Sequence, residues 1–130
     1  KIEALAENLR AIRPDLELEL HDDRISADNA AVIFADCPIV VEAFDRAEDK
    51  QMLIETLAGP DRVVIAASGM AGWGDSDAIR IHRLSDRLYL VGDLERAVSA
   101  TLPPCSPRVG IVAAKEADIV LSLILGDPVR

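Results

Sequence analysis

Two carboxylates follow the apolar run Ile39-Val40-Val41: Glu42, and Asp45 three residues later, before Arg46-Ala47-Glu48-Asp49-Lys50 continues as the opening of a helix. An aspartate there is a hard oxygen ligand that can hold a divalent cation or face a nucleotide, because open α/β sheets bind ligands at the carboxyl ends of their strands. The same Asp45 suits the N-cap of the helix that follows. Both roles stay open on its residues alone. Glu42 reads as a structural or solvent-facing acid.

The other reactive side chains are sparse. Cys37 and Cys105 lie far apart and form no CxxC pair, so no zinc site is expected, and a disulfide is not expected in a reducing compartment. Cys37, at a strand entrance before Pro38, reads as structural. His21 and His82 have no partner at triad or metal-ligand spacing and read as surface histidines. The loop Ser68-Gly69-Met70-Ala71-Gly72-Trp73-Gly74-Asp75-Ser76-Asp77 carries three glycines, which admit close backbone approach. It leads into strand patterns rather than a helix, and neither GxGxxG nor GxxxxGK[ST] occurs in the sequence, so it is no phosphate cradle of those kinds. Trp73, the single tryptophan, is expected to pack or to meet a partner. Arg80, Arg83 and Arg87 read as solubilising charges.

These residues need elements to position them. Ile2, Leu5, Ala6, Leu9 and Ile12 recur at helical spacing, stopped by Pro14. Leu16-Glu17-Leu18-Glu19-Leu20 alternates strictly and predicts a short strand. Ser26 caps a helix to about Phe34; Ile39–Val41 is a strand; residues 47–57 are a helix closed by Gly59-Pro60; and Val63–Ala67 is a second buried strand. The order α-β-α-β-α-β is that of a parallel sheet with crossover helices. Ile79–Leu84 and Leu88–Val91, joined near Ser85-Asp86, predict an antiparallel pair at a sheet edge. Residues 93–108, with Pro103, Pro104 and Pro107, predict an irregular crossover. Val109–Leu125 is the longest helical pattern, ended by Gly126 and Pro128, and apolar enough to predict burial on most sides.

Composition agrees with one domain of this kind. Half of the 130 residues are apolar but only 3% are aromatic, so the core must be aliphatic, as in a sheet covered by helices on both faces. The formal net charge is −9, concentrated in residues 1–50 with 13 acids against 6 bases. Nucleic acid is not the expected partner, because phosphate backbones require clustered Lys and Arg. No run of apolar residues is long enough to span a membrane, no leader pattern opens the chain, and a cytoplasmic location is expected.

Four segments in order resemble the second half of the ThiF/MoeB/HesA adenylyltransferases, bacterial relatives of ubiquitin-activating enzymes. Lys1 heads a helix closing in Ala11-Ile12-Arg13-Pro14, where that family has a lysine, a helix and an Ile-Asn-Pro turn. Val40-Val41-Glu42-Ala43-Phe44-Asp45-Arg46 falls where it has an apolar strand ending Asp-x-x-Asp-Asn. Val63–Ala67 with Ser68-Gly69-x-x-Gly72 is similar to its next strand and glycine loop. Pro107-Arg108-Val109-Gly110, with the helix ending Leu125-Gly126, is similar to its Pro-x-x-Gly helix and terminal Leu-x-Gly. Glu42 replaces the first motif Asp and Arg46 the Asn. The details resemble most the thiamine-pathway ThiF branch that lacks zinc-binding cysteine pairs.

The resemblance implies a Rossmann-like three-layer α/β fragment, residues 1–130 being the C-terminal part of an adenylyltransferase domain whose glycine-rich nucleotide-binding part precedes it. It implies ATP-dependent adenylation of the C-terminal glycine of a small ubiquitin-like sulfur-carrier protein, with Mg²⁺, in a homodimer; the fragment alone is expected to be inactive. Asp45 matches the Mg²⁺ ligand and Lys1 the lysine that contacts the ATP phosphates. Gly69 and Gly72 are candidates to admit the carrier's Gly-Gly tail, and Cys105 is a candidate carrier-accepting thiol. The alternative is a non-catalytic α/β half-domain acting in dimerisation or protein binding; a remnant of a nicotinamide-binding oxidoreductase ranks lowest.

Overall fold

A computed structural model describes residues 1–126 and 129. In chain order the elements are α1 (Ile2–Ile12), α2 (Ala27–Ile33), β1 (Ile39–Val41), α3 (Ala47–Leu57), β2 (Val63–Ala67), a 3₁₀ turn (Ser76–Ala78), β3 (Arg80–Ser85), β4 (Leu88–Gly92) and α4 (Ser106–Leu125). The four strands form one sheet in the order β1-β2-β4-β3. β1, β2 and β4 run parallel, in register through Val40↔Val64 and Ala66↔Leu90, and β3 pairs antiparallel with β4 at the edge.

Every residue of β2 is buried, as a strand covered on both faces requires. Its alternate side chains feed two cores. Val63, Ile65 and Ala67 join Tyr89, Val91, Val112 and Ile119 under α4. Val64 joins Val40, Ala30, Leu53 and Leu57 under α2 and α3 on the opposite face. The sheet lies between two helical layers: a three-layer, Rossmann-like α/β arrangement with an antiparallel edge pair.

Local chemistry sets the ends of the helices. The Ser26 N–H donates to Asn29 Oδ1 at 2.8 Å and fixes the first turn of α2. Arg13 is extended before Pro14, which ends α1. Pro107 lies in the first turn of α4, where its missing N–H costs nothing. Gly126 closes α4 in the left-handed conformation, φ +77°. The expected stop at Pro128 lies outside the described residues.

Two expectations fail. Residues 16–20 form no strand and pair with none among the described residues, although Leu16 and Leu18 are half-buried. Alternation specifies a face to bury, and a packed loop satisfies that as well as a ladder does. The order therefore opens α-α-β-α-β. α4 starts three residues before Val109 and is buried along one face only: Arg108, Val112, Glu116 and Ile119 point inward while Leu121, Ile124 and Leu125 are exposed. Among the described residues no helix is long and apolar enough to cross a membrane.

Candidate functional site

The parallel strands β1 and β2 end side by side, and the chain beyond each bends away to open two adjoining depressions. The first, about 170 Å³, is lined by Asp45, Ala47, Lys50, Ala67, Ser68, Gly69, Met70 and Arg96 among others. The second, about 190 Å³, shares Asp45, Lys50, Ala67 and Met70 and continues to Glu42, Phe44, Val109, Val112 and Glu116 on α4. This is the ligand position of an open α/β sheet.

Asp45 is exposed at the lip of both. It does not cap α3: the N-cap is Arg46, with no side-chain cap bond, so the capping alternative for Asp45 is not what the fold uses. Among the described residues Asp45 makes no ion pair, which leaves its carboxylate available. Mg²⁺ is commonly held by one or two carboxylates, waters and substrate phosphates, so a lone exposed carboxylate fits that ion.

Glu42 behaves unlike a solvent-facing acid. It is 1% exposed. Lys50 Nζ, one helix turn into α3, donates to its Oε1 at 3.0 Å and its Oε2 at 2.9 Å, and the Phe44 N–H donates to Oε1 as well. The ion pair ties the turn after β1 to α3 and fixes the backbone that presents Asp45. Glu116 approaches the same cluster from α4. It is 8% exposed, and among the described residues its Oε1 has no hydrogen-bond partner. Burial, reinforced by the Glu42 charge and only partly offset by Lys50, pushes its carboxyl up to about 7.

The glycine loop is held by a second buried ion pair. Arg108, 1% exposed on the first turn of α4, donates through Nη1 to the carbonyls of Gly74 and Asp75, both at 2.9 Å, and through Nη2 to Gly69 O at 3.3 Å. Nη2 also meets Asp93 Oδ2. Burial would raise Asp93, but the N–H groups of Arg96 and Glu95 and the guanidiniums of Arg108 and Arg96 outweigh it and hold the carboxyl below the usual range. Arg96 spans the rim: Nη1 donates to Trp73 O at 3.0 Å, and its ion pairs to Asp93 (3.6 Å) and Asp75 (3.7 Å) are long.

Gly69 lines the first depression with Asp45, at φ +74°. Gly72 points elsewhere: its N–H donates to Pro103 O at 2.9 Å and it bridges to Pro104, so the glycine loop is zipped to the segment before α4. Cys105 is the N-cap of α4, half-buried, and lines neither depression. Lys1 lies apart, in a cleft with Ile2, Glu3, Leu20 and Asp22. Asp45 and Gly69 are thus brought together; Lys1, Gly72 and Cys105 are not brought to them. Trp73 is 68% exposed and does not pack into the fold. Sequence reasoning missed Lys50, Arg96 and Arg108 as site-forming residues and Glu116 as a buried acid. The one available signal was the polar stretch Lys115, Glu116 and Asp118 in a largely apolar helix pattern, which does not single out Glu116.

No protein-family model matches the sequence, and no curated protein does. Solved structures do match. The Escherichia coli tRNA N6-threonylcarbamoyladenosine dehydratase TcdA in complex with AMP aligns with a TM-score of 0.81 at 19% identity, over 97% of this chain and 64% of that one. The ATP complex gives 0.73 at 16% identity, over 98% and 66%. A further structure, of TcdA (CsdL), gives 0.71 at 14%, over 97% and 67%. This chain spans about two thirds of the length of those neighbours, and at these identities the likeness is one of fold.

Proposed function

We propose that this chain forms part of the nucleotide and acyl-substrate site of an ATP-dependent adenylating enzyme, one that activates the C-terminal glycine of a small ubiquitin-like sulfur carrier. The observation that carries the reading is the depression at the ends of β1 and β2, where Asp45, Lys50, the Ser68–Met70 backbone and Arg96 meet. The fold is one in which ATP and AMP complexes have been solved. Mg²⁺ and ATP, when bound, supply an electrophilic α-phosphate. This chain would supply the charge around it: Asp45 would ligate the ion, and Arg96, loosely paired at the rim, would receive an anionic oxygen. Lys50 holds the floor through Glu42. Neither phosphate-cradling motif occurs in the sequence, so the 130 residues alone are expected to be inactive.

The solved neighbours carry a tRNA-modifying name. The protein carboxylate is preferred here because a net charge of −9 disfavours a polyphosphate backbone. ATP–pyrophosphate exchange by the whole protein, with a carrier ending in Gly-Gly, tests the reading. Exchange should require the carrier and fall at least about a hundredfold in Asp45→Ala, the scale of losing a main electrostatic contact. Exchange driven by tRNA instead would move the substrate, and unchanged exchange in the variant would remove Asp45. The second reading, a half-domain for dimerisation or protein binding, is favoured by the outer edge of β1, which pairs with nothing beyond β2 among the described residues. It predicts no exchange at all.

A further inference from the structure

The second depression holds an acceptor that the proposed chemistry does not use. Four charged side chains line it, and beside Asp45 at the mouth three converge from separate segments: Glu42 after β1, Lys50 on α3 and Glu116 on α4. Glu42 is fully engaged, by Lys50 Nζ through both oxygens and by the Phe44 N–H. Glu116 is not. Its Oε1 is buried without a donor, in a residue more than nine-tenths buried, and it lines a cavity of about 190 Å³. Apart from Asp45 at the mouth, the remaining walls are apolar: Ala43, Phe44, Ala67, Met70, Val109, Val112 and Ala113.

A buried acceptor without a partner is destabilising, more so when charged, so a group that brings N–H donors into this space removes that penalty. Its charge is fixed by the neighbours. Glu42 and Lys50 cancel, so above about pH 7 Glu116 carries the uncompensated negative charge, and Asp45 adds to it at the mouth. A cation is therefore favoured over a neutral donor. Its shape is fixed by the single open acceptor: a guanidinium would bring a rigid fork of five N–H groups to one oxygen, whereas an ammonium is a compact charge with rotatable donors. Among the described residues no group of three or more His, Cys, Asp or Glu side chains is set to hold a metal ion.

We propose that this cavity binds a primary ammonium group on a short apolar stem, with Glu116 Oε1 as its acceptor and Phe44, Met70, Val109 and Val112 packed around the stem. A free alkylamine and a lysine side chain share this chemistry. The site does not depend on ATP use, so its test is independent of the adenylation reading.

The protein has two methionines, Met70 in the cavity wall and Met52 on α3, so their methyl resonances give a site reporter and an internal reference. Titration with n-butylammonium chloride at pH 8 should shift Met70 saturably and leave Met52 in place, while sodium chloride at equal ionic strength shifts neither methionine. n-Butanol, the neutral counterpart, should bind at least tenfold more weakly. Glu116→Gln should weaken n-butylammonium binding at least tenfold, and Ala113→Leu, which fills the cavity and keeps the carboxylate, should abolish it. Nα-acetyl-lysine methylamide separates the sources: saturable binding admits a lysine side chain, and its absence beside n-butylammonium binding restricts the site to free amines. The proposal is overturned if no saturable Met70 shift appears, if n-butanol binds as well as the amine, or if Glu116→Gln binds unchanged.

Discussion

Arg108 and Asp93 form a buried ion pair that fastens the first turn of α4 to the chain leaving β4. The same guanidinium also holds the carbonyls of Gly69, Gly74 and Asp75. One side chain thus sets the shape of the glycine loop beside Asp45. Removing it leaves Asp93 buried without its strongest cation and Gly74 O without a donor, while Gly69 O and Asp75 O keep the N–H groups of Asp93 and Ala78. Arg108→Ala is expected to cost about 3–5 kcal/mol, the range for breaking a buried pair from one side. Arg108→Lys should recover little of that, because an ammonium cannot reproduce the fork. The urea midpoints of the three proteins, at matched slope, check this.

Glu116 gives the fold a pH dependence with a definite sign. Its folded carboxyl lies at about 7 against an ordinary value of 4.5. Below pH 4.5 both folded and unfolded chains hold the proton and the residue is neutral to stability. Between 4.5 and 7 the unfolded chain loses it first, so stability falls as pH rises, by up to about 3 kcal/mol above pH 7. Glu116→Gln should abolish that decline and leave the protein more stable than wild type at pH 8. Thermal unfolding at pH 5 and pH 8 reads the difference; a wild type equally stable at both would remove the buried, raised carboxyl. Asp93 works oppositely: with its folded value depressed, it stabilises above about pH 4 and that contribution fades as pH falls further.

The elements that carry the site were legible because each is a local pattern. Ile39–Val41 and Val63–Ala67 are apolar runs bounded by turn residues, and the helix of residues 47–57 has matching ends. What joins them was not. Arg108 meets Asp93 fifteen residues away and Gly69 thirty-nine residues away, and these pairings depend on the sheet bringing β4 and α4 together. Charge position alone does not separate Glu116, buried, from Asp118, two residues on and exposed. The reading of α4 as buried on most sides failed for the complementary reason: composition counts apolar residues, while burial depends on which face meets the sheet, and Leu121, Ile124 and Leu125 do not.

Lys50 and Glu42 make a test of whether the floor of the site is held by charge or by shape. Lys50→Met removes the ammonium from a carboxylate that is almost wholly buried and should cost about 3–5 kcal/mol. Pairing it with Glu42→Gln removes the stranded charge, and the double variant should regain about half of the loss or more. A coupling energy near zero in the double-mutant cycle would mean that the two residues do not act together.

Gly69 has been given two roles, one in admitting a flexible substrate tail and one in the fold, and substitution can separate them. At φ +74° a side chain there is strained, and its Cβ would stand 2.1 Å from Asp93 Oδ1 and 2.3 Å from the Leu94 backbone nitrogen. The latter cannot give way without moving the chain that leaves β4. Gly69→Ala is expected to destabilise by about 2–4 kcal/mol, from left-handed strain of about 1–2 kcal/mol plus the clash. Gly74, at φ +70°, has nothing within 4 Å of its Cβ position. Gly74→Ala therefore carries the strain alone and should cost about 1–2 kcal/mol. Equal losses in chemical denaturation would mean that the close approach to Asp93 and Leu94 is not what reserves position 69 for glycine. If Gly69→Ala is the more costly, the fold suffices to explain the glycine, and a role for it in tail binding must be shown on variants corrected for stability.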